Sequence, residues 1–124
     1  MSLNTLALVL FSVGLSALAQ LLLKMGMSGP VVLQAVRDGP PLRTAWTIAT
    51  DLPVLGGLSL YFASAAVWLL VLARLPLSVA YPFVGLGFIL TMLLGWLVLG
   101  DTLNASRVVG TVLVTAGVVL IARS

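Results

Sequence analysis

Cysteine and histidine are both missing from this chain of 124 residues. The first absence excludes disulfides, thiolate metal sites and cysteine nucleophiles. The second removes the commonest metal ligand and the side chain best suited to general base work near neutral pH. Acid is scarce as well, because glutamate does not occur and the only carboxylate side chains are Asp38, Asp51 and Asp101. Each of these lies between apolar runs rather than within one. The interior is therefore expected to hold no carboxylate pair, no metal cluster and no catalytic residue, so neither an enzyme nor a cofactor is implied. Charged residues of both signs reach only 7% of the chain, against roughly 25% in an ordinary soluble domain.

What the chain has instead is apolar length. Hydrophobic residues make up 61% of it, and charged side chains are absent from Leu3–Leu23, Leu52–Ala73, Leu75–Gly100 and Val108–Ala122. A helix of about 20 residues, rising ~1.5 Å per residue, crosses a hydrocarbon core of roughly 30 Å. Backbone groups in lipid must be satisfied within the segment, and the runs are too long and too uniformly apolar for barrel strands. The expectation is an all-α membrane protein, a single domain over residues 1–124 with four transmembrane helices near 3–25, 53–73, 77–99 and 103–122. Ala17-Leu18-Ala19 before Gln20 has the form of a signal-peptide cleavage site. The run ahead of it carries no Lys or Arg and exceeds the roughly 7–15 residues of a signal-peptide core, so the first span is expected to stay. The net charge of +3 suits an anionic cytoplasmic leaflet and does not imply nucleic-acid binding.

The only long connection, 26–52, carries the breakers Gly26, Gly29, Pro30, Gly39, Pro40 and Pro41. It reads either as a plain loop or as short helices around 31–36 and 42–50, the second amphipathic with Trp46 as an interfacial anchor. The remaining links are short and force antiparallel neighbours. At the last one Gly100 suits a helix C-cap and Asp101 or Asn104 an N-cap, so the fourth helix is expected from about Leu103. Lys24, Arg37, Arg43 and Arg107 flank the first and third links, against Arg74 and Arg123 on the side of the termini, which places both termini outside the cytoplasm. The bias is small enough to allow insertion in both orientations, and with it an antiparallel pair of identical subunits.

Polar atoms inside the spans are few and patterned. Ser12, Ser16, Gln20 and Lys24 recur every fourth residue and form a ridge on the first helix. Interhelical hydrogen bonds of roughly 0.6 kcal/mol each account for the serines. The primary amide of Gln20, with four bonding sites, and the fixed charge of Lys24 at the membrane boundary point instead to a hydrophilic path. Gly57, Tyr61, Ser64 and Trp68 form one stripe of the second span, which faces either a path or a neighbouring helix. Gly87, Thr91 and Gly95 in the third span, and Gly110 and Gly117 in the fourth, have the spacing of helix-packing seams. Pro82 with Gly85-Leu86-Gly87 invites a bend.

In these segments the chain resembles the drug/metabolite transporter superfamily, in its EamA-like and small-multidrug-resistance branches. The carrying motifs are Ala19-Gln20-Leu21-Leu22-Leu23-Lys24, Trp68-Leu69-Leu70-Val71-Leu72 followed by Leu75-Pro76-Leu77-Ser78-Val79-Ala80-Tyr81-Pro82, and Gly95-Trp96 with Gly100-Asp101, Gly110 and Ala116-Gly117-Val118. Within the superfamily the Gln-to-Lys and Pro-to-Pro segments are most similar to the small subunits that flip undecaprenyl-phosphate-linked aminoarabinose. The multidrug branch carries a proton-binding glutamate eight residues before the lysine. Here that position is Ser16, so proton-coupled cation export by that mechanism is not expected.

The resemblance implies a small-multidrug-resistance-like bundle in the bacterial inner membrane, working as a homodimer or as a heterodimer with a second four-span subunit. Its implied cargo is a polyprenyl-phosphate-linked sugar, whose tail stays in the membrane lipid. The headgroup would cross between Ser16, Gln20, Tyr61, Ser64, Trp68 and Tyr81, with Lys24 pairing with the phosphate and Pro82, Gly85 and Gly87 acting as the hinge. Thr91, Gly95, Gly110 and Gly117 are left to helix packing. Two alternatives are a small-solute or organic-cation exporter and a non-transporting assembly subunit.

Overall fold

In the computed structural model, which describes residues 2–124, four helical stretches are long and apolar enough to cross a membrane. The first helix, α1 (Leu3–Met27), starts on the Ser2 hydroxyl, which accepts from the Thr5 N–H at 3.2 Å. The long connection is not a plain loop. It folds into α2 (Pro30–Asp38) and α3 (Pro41–Ala49), each opened by a proline in its first turn, where a missing N–H costs nothing. The Thr44 hydroxyl donates to the Ala35 carbonyl at 2.7 Å and ties the two together. Leu42 and Trp46 remain exposed on α3.

The second span is α4 (Leu52–Arg74), capped by the Asp51 carboxylate, which accepts from the Val54 N–H at 3.3 Å. The third span is broken near its start into α5 (Leu77–Ala80), a 3-10 segment (Tyr81–Gly85) and α6 (Leu86–Val98). Pro82 lies in the 3-10 segment and cannot donate to an α-helical ladder. The fourth span, α7 (Ala105–Arg123), begins two residues later than the expected Leu103. Asn104 is its cap, accepting from the Arg107 N–H at 2.8 Å.

The dominant packing is α1 against α4. It is made close by Gly57, where an added Cβ would stand 2.8 Å from the Leu23 side chain and 3.0 Å from the Ala19 carbonyl oxygen. At the end of the bundle nearest the termini Val9, Val13, Val71, Ala80, Phe83 and Val118 form a buried apolar cluster. The last helix contributes little: 6% of its apolar window is buried against the rest of the chain, compared with 28% for α1. At Gly110 and Gly117, expected in helix packing, an added Cβ would meet nothing of this chain within 4 Å. No helix of this chain closes on that seam, and Val112, Leu113, Val119 and Leu120 beside it are exposed.

Candidate functional site

Residues of α1, α4 and α6 line a cleft of about 620 Å³ between the three helices. Along α1 the cleft runs from Ser12 to Lys24, which at ~1.5 Å per residue is roughly 18 Å, more than half of a hydrocarbon core. The apolar cluster around Val9 and Phe83 lies at one end. The other end carries Lys24, Leu99 and Asp101.

The walls combine polar tips with apolar faces. Ser16, Gln20 and Lys24 come from α1, and Tyr61, Ser64 and Trp68 from α4; Tyr81 opens the 3-10 segment. All seven side chains singled out as a path thus line the same cleft. They are not equivalent within it. Ser12, one turn before Ser16, is buried, and its hydroxyl donates to the Ser64 carbonyl at 2.9 Å, so this end of the ridge joins helices. Ser16 is half-buried, while Gln20, Lys24, Tyr61 and Tyr81 are exposed to the cleft volume.

Four residues do something other than their spacing implies. Gly57 belongs to the aromatic stripe by spacing but sits in the contact between α1 and α4 and lines nothing. Gly87, Thr91 and Gly95 have the spacing of a close helix contact yet lie along the cleft. A Cβ at Gly87 would be 3.6 Å from Val13, an ordinary distance, and the Thr91 hydroxyl is satisfied by the Gly87 carbonyl of its own helix at 2.8 Å. Gly85, by contrast, is a true close approach, with Val114 of α7 2.6 Å from where its Cβ would be.

Asp101, not among the residues expected at the path, joins the lining. It lies in a link by sequence, but Gly100 adopts φ +73°, a conformation natural to glycine, and turns the chain back over the end of α6. The Asp101 N–H donates to the Gly95 carbonyl at 2.9 Å, and its Oδ2 stands 2.6 Å from the position of a Gly95 Cβ. The carboxylate therefore lines the cleft with Lys24. The signal available in the sequence was the Gly100-Asp101 pair: a glycine after a helix reverses the chain and brings the next side chain onto the last turn. An adjoining groove, which shares Lys24 and Asp101 with the cleft, adds Arg107 to the same end, its guanidinium donating to the Thr102 carbonyl at 2.6 Å.

Comparison with known proteins decides the family, since a model of the EamA-like transporter family matches residues 1–123. The chain belongs to the EamA-like transporter family. An EamA-like chain is a transporter and not an enzyme, which agrees with four apolar spans around a cleft. This EamA-like protein is 36% identical over 114 residues to ArnF of Proteus mirabilis, named "Probable 4-amino-4-deoxy-L-arabinose-phosphoundecaprenol flippase subunit ArnF"; the match covers 88% of this chain and 84% of the relative. It is 34% identical to ArnF of Shewanella sediminis over 98% of this chain and 89% of that one. A shorter match, 44% identical over 55 residues, joins it to the flippase subunit ArnE of Pseudomonas fluorescens, covering 44% of this chain and 48% of the relative. No solved structure matches the chain.

Proposed function

We propose that this EamA-like protein is a flippase subunit that moves a polyprenyl-phosphate-linked aminoarabinose across the bacterial inner membrane by alternating access. The observation that carries the reading is the continuity of one cleft from Lys24 to Trp68 and Tyr81. A headgroup with a phosphate and a sugar ring needs a cation for the first and hydrogen-bonding groups with flat apolar faces for the second. The cleft offers these in order. The Lys24 ammonium pairs with the phosphate at the mouth, where scarce water strengthens the contact. Ser16, Gln20 and Tyr61 offer hydrogen bonds to hydroxyls, and Trp68 and Tyr81 offer ring faces. The polyprenyl chain remains in lipid, beside the exposed apolar surfaces of the helices.

The mouth carries Lys24 and, in the adjoining groove, Arg107, and Arg37 and Arg43 lie in the links at the same end. By the positive-inside rule this end faces the cytoplasm. The opposite end is closed by the cluster that includes Ala80 and Phe83, on either side of Pro82. Opening toward the other face therefore means moving the 3-10 segment Tyr81–Gly85 away from Val9, Val71 and Val118, with Pro82, Gly85 and Gly87 as the hinge. A single chain buries little of α7, so a second four-span chain completes the pathway. The relatives named ArnF and ArnE point to a heterodimer, with α7 and its Gly110–Gly117 seam as the contact.

The test is reconstitution of the chain with its partner subunit in vesicles containing the amino-sugar lipid. Movement is read by labelling of the sugar amine with an amine-reactive reagent that cannot cross the membrane. Lys24→Ala is expected to abolish protein-dependent movement. Unchanged movement in that variant overturns the assignment.

A further inference from the structure

The carboxylate of Asp101 has no structural employment that accounts for its place. It does not cap α7, because Asn104 holds that position. It lies over the last turn of α6, beside Gly95, where the helix dipole disfavours an anion. Among the described residues its carboxylate takes part in no hydrogen bond, and Arg107, which lines the adjoining groove, donates to the Thr102 carbonyl. Yet it lines the same cleft as Lys24, whose ammonium is likewise without a hydrogen-bond partner among the described residues. One mouth thus presents a free cation and a free anion, unpaired with each other. Both are exposed to the cleft volume and open to a ligand that carries the two opposite charges.

We propose that Asp101 is the residue by which the cleft selects a zwitterionic headgroup: Lys24 takes the phosphate and Asp101 takes the ammonium of an amino-bearing sugar. The inference rests on the flippase reading and names the part of the cleft that tells an amino sugar from a neutral one. A neutral sugar phosphate would satisfy Lys24 and leave the carboxylate without a counter-ion in the loaded cleft, and a group left unpaired by the wrong ligand discriminates more strongly than shape does. The glycine at 95 belongs to the same device. Any side chain there would displace the Asp101 carboxylate, since a Cβ would overlap Oδ2.

The experiment compares two lipids in the reconstituted pair of subunits: the polyprenyl-phosphate amino sugar, and its analogue with a hydroxyl in place of the amine. Movement is read from the headgroup by accessibility to an enzyme or reagent confined to one side and suited to each lipid. The intact protein is expected to prefer the amino lipid by roughly tenfold or more, the value of one charge-assisted contact. Asp101→Asn is expected to remove that preference by slowing the amino lipid while leaving the hydroxyl analogue within about twofold. Asp101→Glu restores part of the preference, and Gly95→Ala lowers it with all charges kept. If Asp101→Asn slows both lipids equally, or neither, the specificity role is overturned while the flippase reading stands. If the intact protein moves neither lipid, the flippase reading itself fails. Movement of a lipophilic cation that depends on Asp101 and is not inhibited by the amino lipid also overturns the proposal.

Discussion

The Ser12 hydroxyl donates to the Ser64 carbonyl oxygen at 2.9 Å, across the contact between α1 and α4. This bond divides the polar ridge of α1 into two functions, because Ser12 is consumed by packing and Ser16, Gln20 and Lys24 are left to the cleft. Ser12→Ala should lower stability by only about 0.6 kcal/mol, the usual worth of an interhelical hydrogen bond in a membrane bundle. It should leave transport near normal. Ser16→Leu should do the reverse, filling the cleft with little effect on the thermal transition in detergent. Thermal unfolding and vesicle transport measured on both variants separate the two roles.

Gly57 and Gly117 should respond oppositely to alanine. At Gly57 the new methyl meets Leu23 at 2.8 Å and the Ala19 carbonyl at 3.0 Å, an overpacking that typically costs about 1–3 kcal/mol. At Gly117 it meets nothing within the chain, so the isolated chain should lose no stability. Its effect is expected in assembly, where bulkier Gly110→Leu and Gly117→Leu should reduce co-purification of the second subunit. A partner retained at full yield by both leucine variants would remove α7 as the contact.

Asn104→Ala deletes the cap of α7 and should cost about 1 kcal/mol. The loss should appear as faster hydrogen exchange at Ser106 and Arg107, in the first turn, with α1 and α4 unaffected.

The absence of cysteine makes accessibility simple to read, since one introduced thiol is the only thiol. A cysteine at Ser16, in the cleft, should react with an impermeant thiol reagent applied from the Lys24 side. A cysteine at Val9, which is fully buried in the apolar cluster, should stay unreactive from either side until transport begins. In a Pro82→Ala background the 3-10 segment can continue as an α-helix, and turnover should fall while Ser16→Cys labelling persists.

Much of this architecture was legible before any coordinates. Uncharged length alone specified four helices, and period-four spacing placed Ser16, Gln20 and Lys24 on one face because an α-helix returns to nearly the same direction every fourth residue. The aromatic stripe of Tyr61, Ser64 and Trp68 followed from the same periodicity. Glycine spacing proved a poorer guide. It marks where two backbones can approach, and Gly57 and Gly85 meet neighbours closely whereas Gly87, Gly110 and Gly117 do not.

The sequence by itself determined the solvent, the number of crossings and the polar face of each helix, since these depend on transfer free energy and on local periodicity. Only the tertiary structure decided that Asp101 shares a cleft with Lys24. The two are separated by most of the chain, and their meeting depends on a left-handed turn at Gly100 folding one loop back over a helix end. Local pattern sets which way a side chain leaves its own helix, but what it faces is fixed by how separate helices pack.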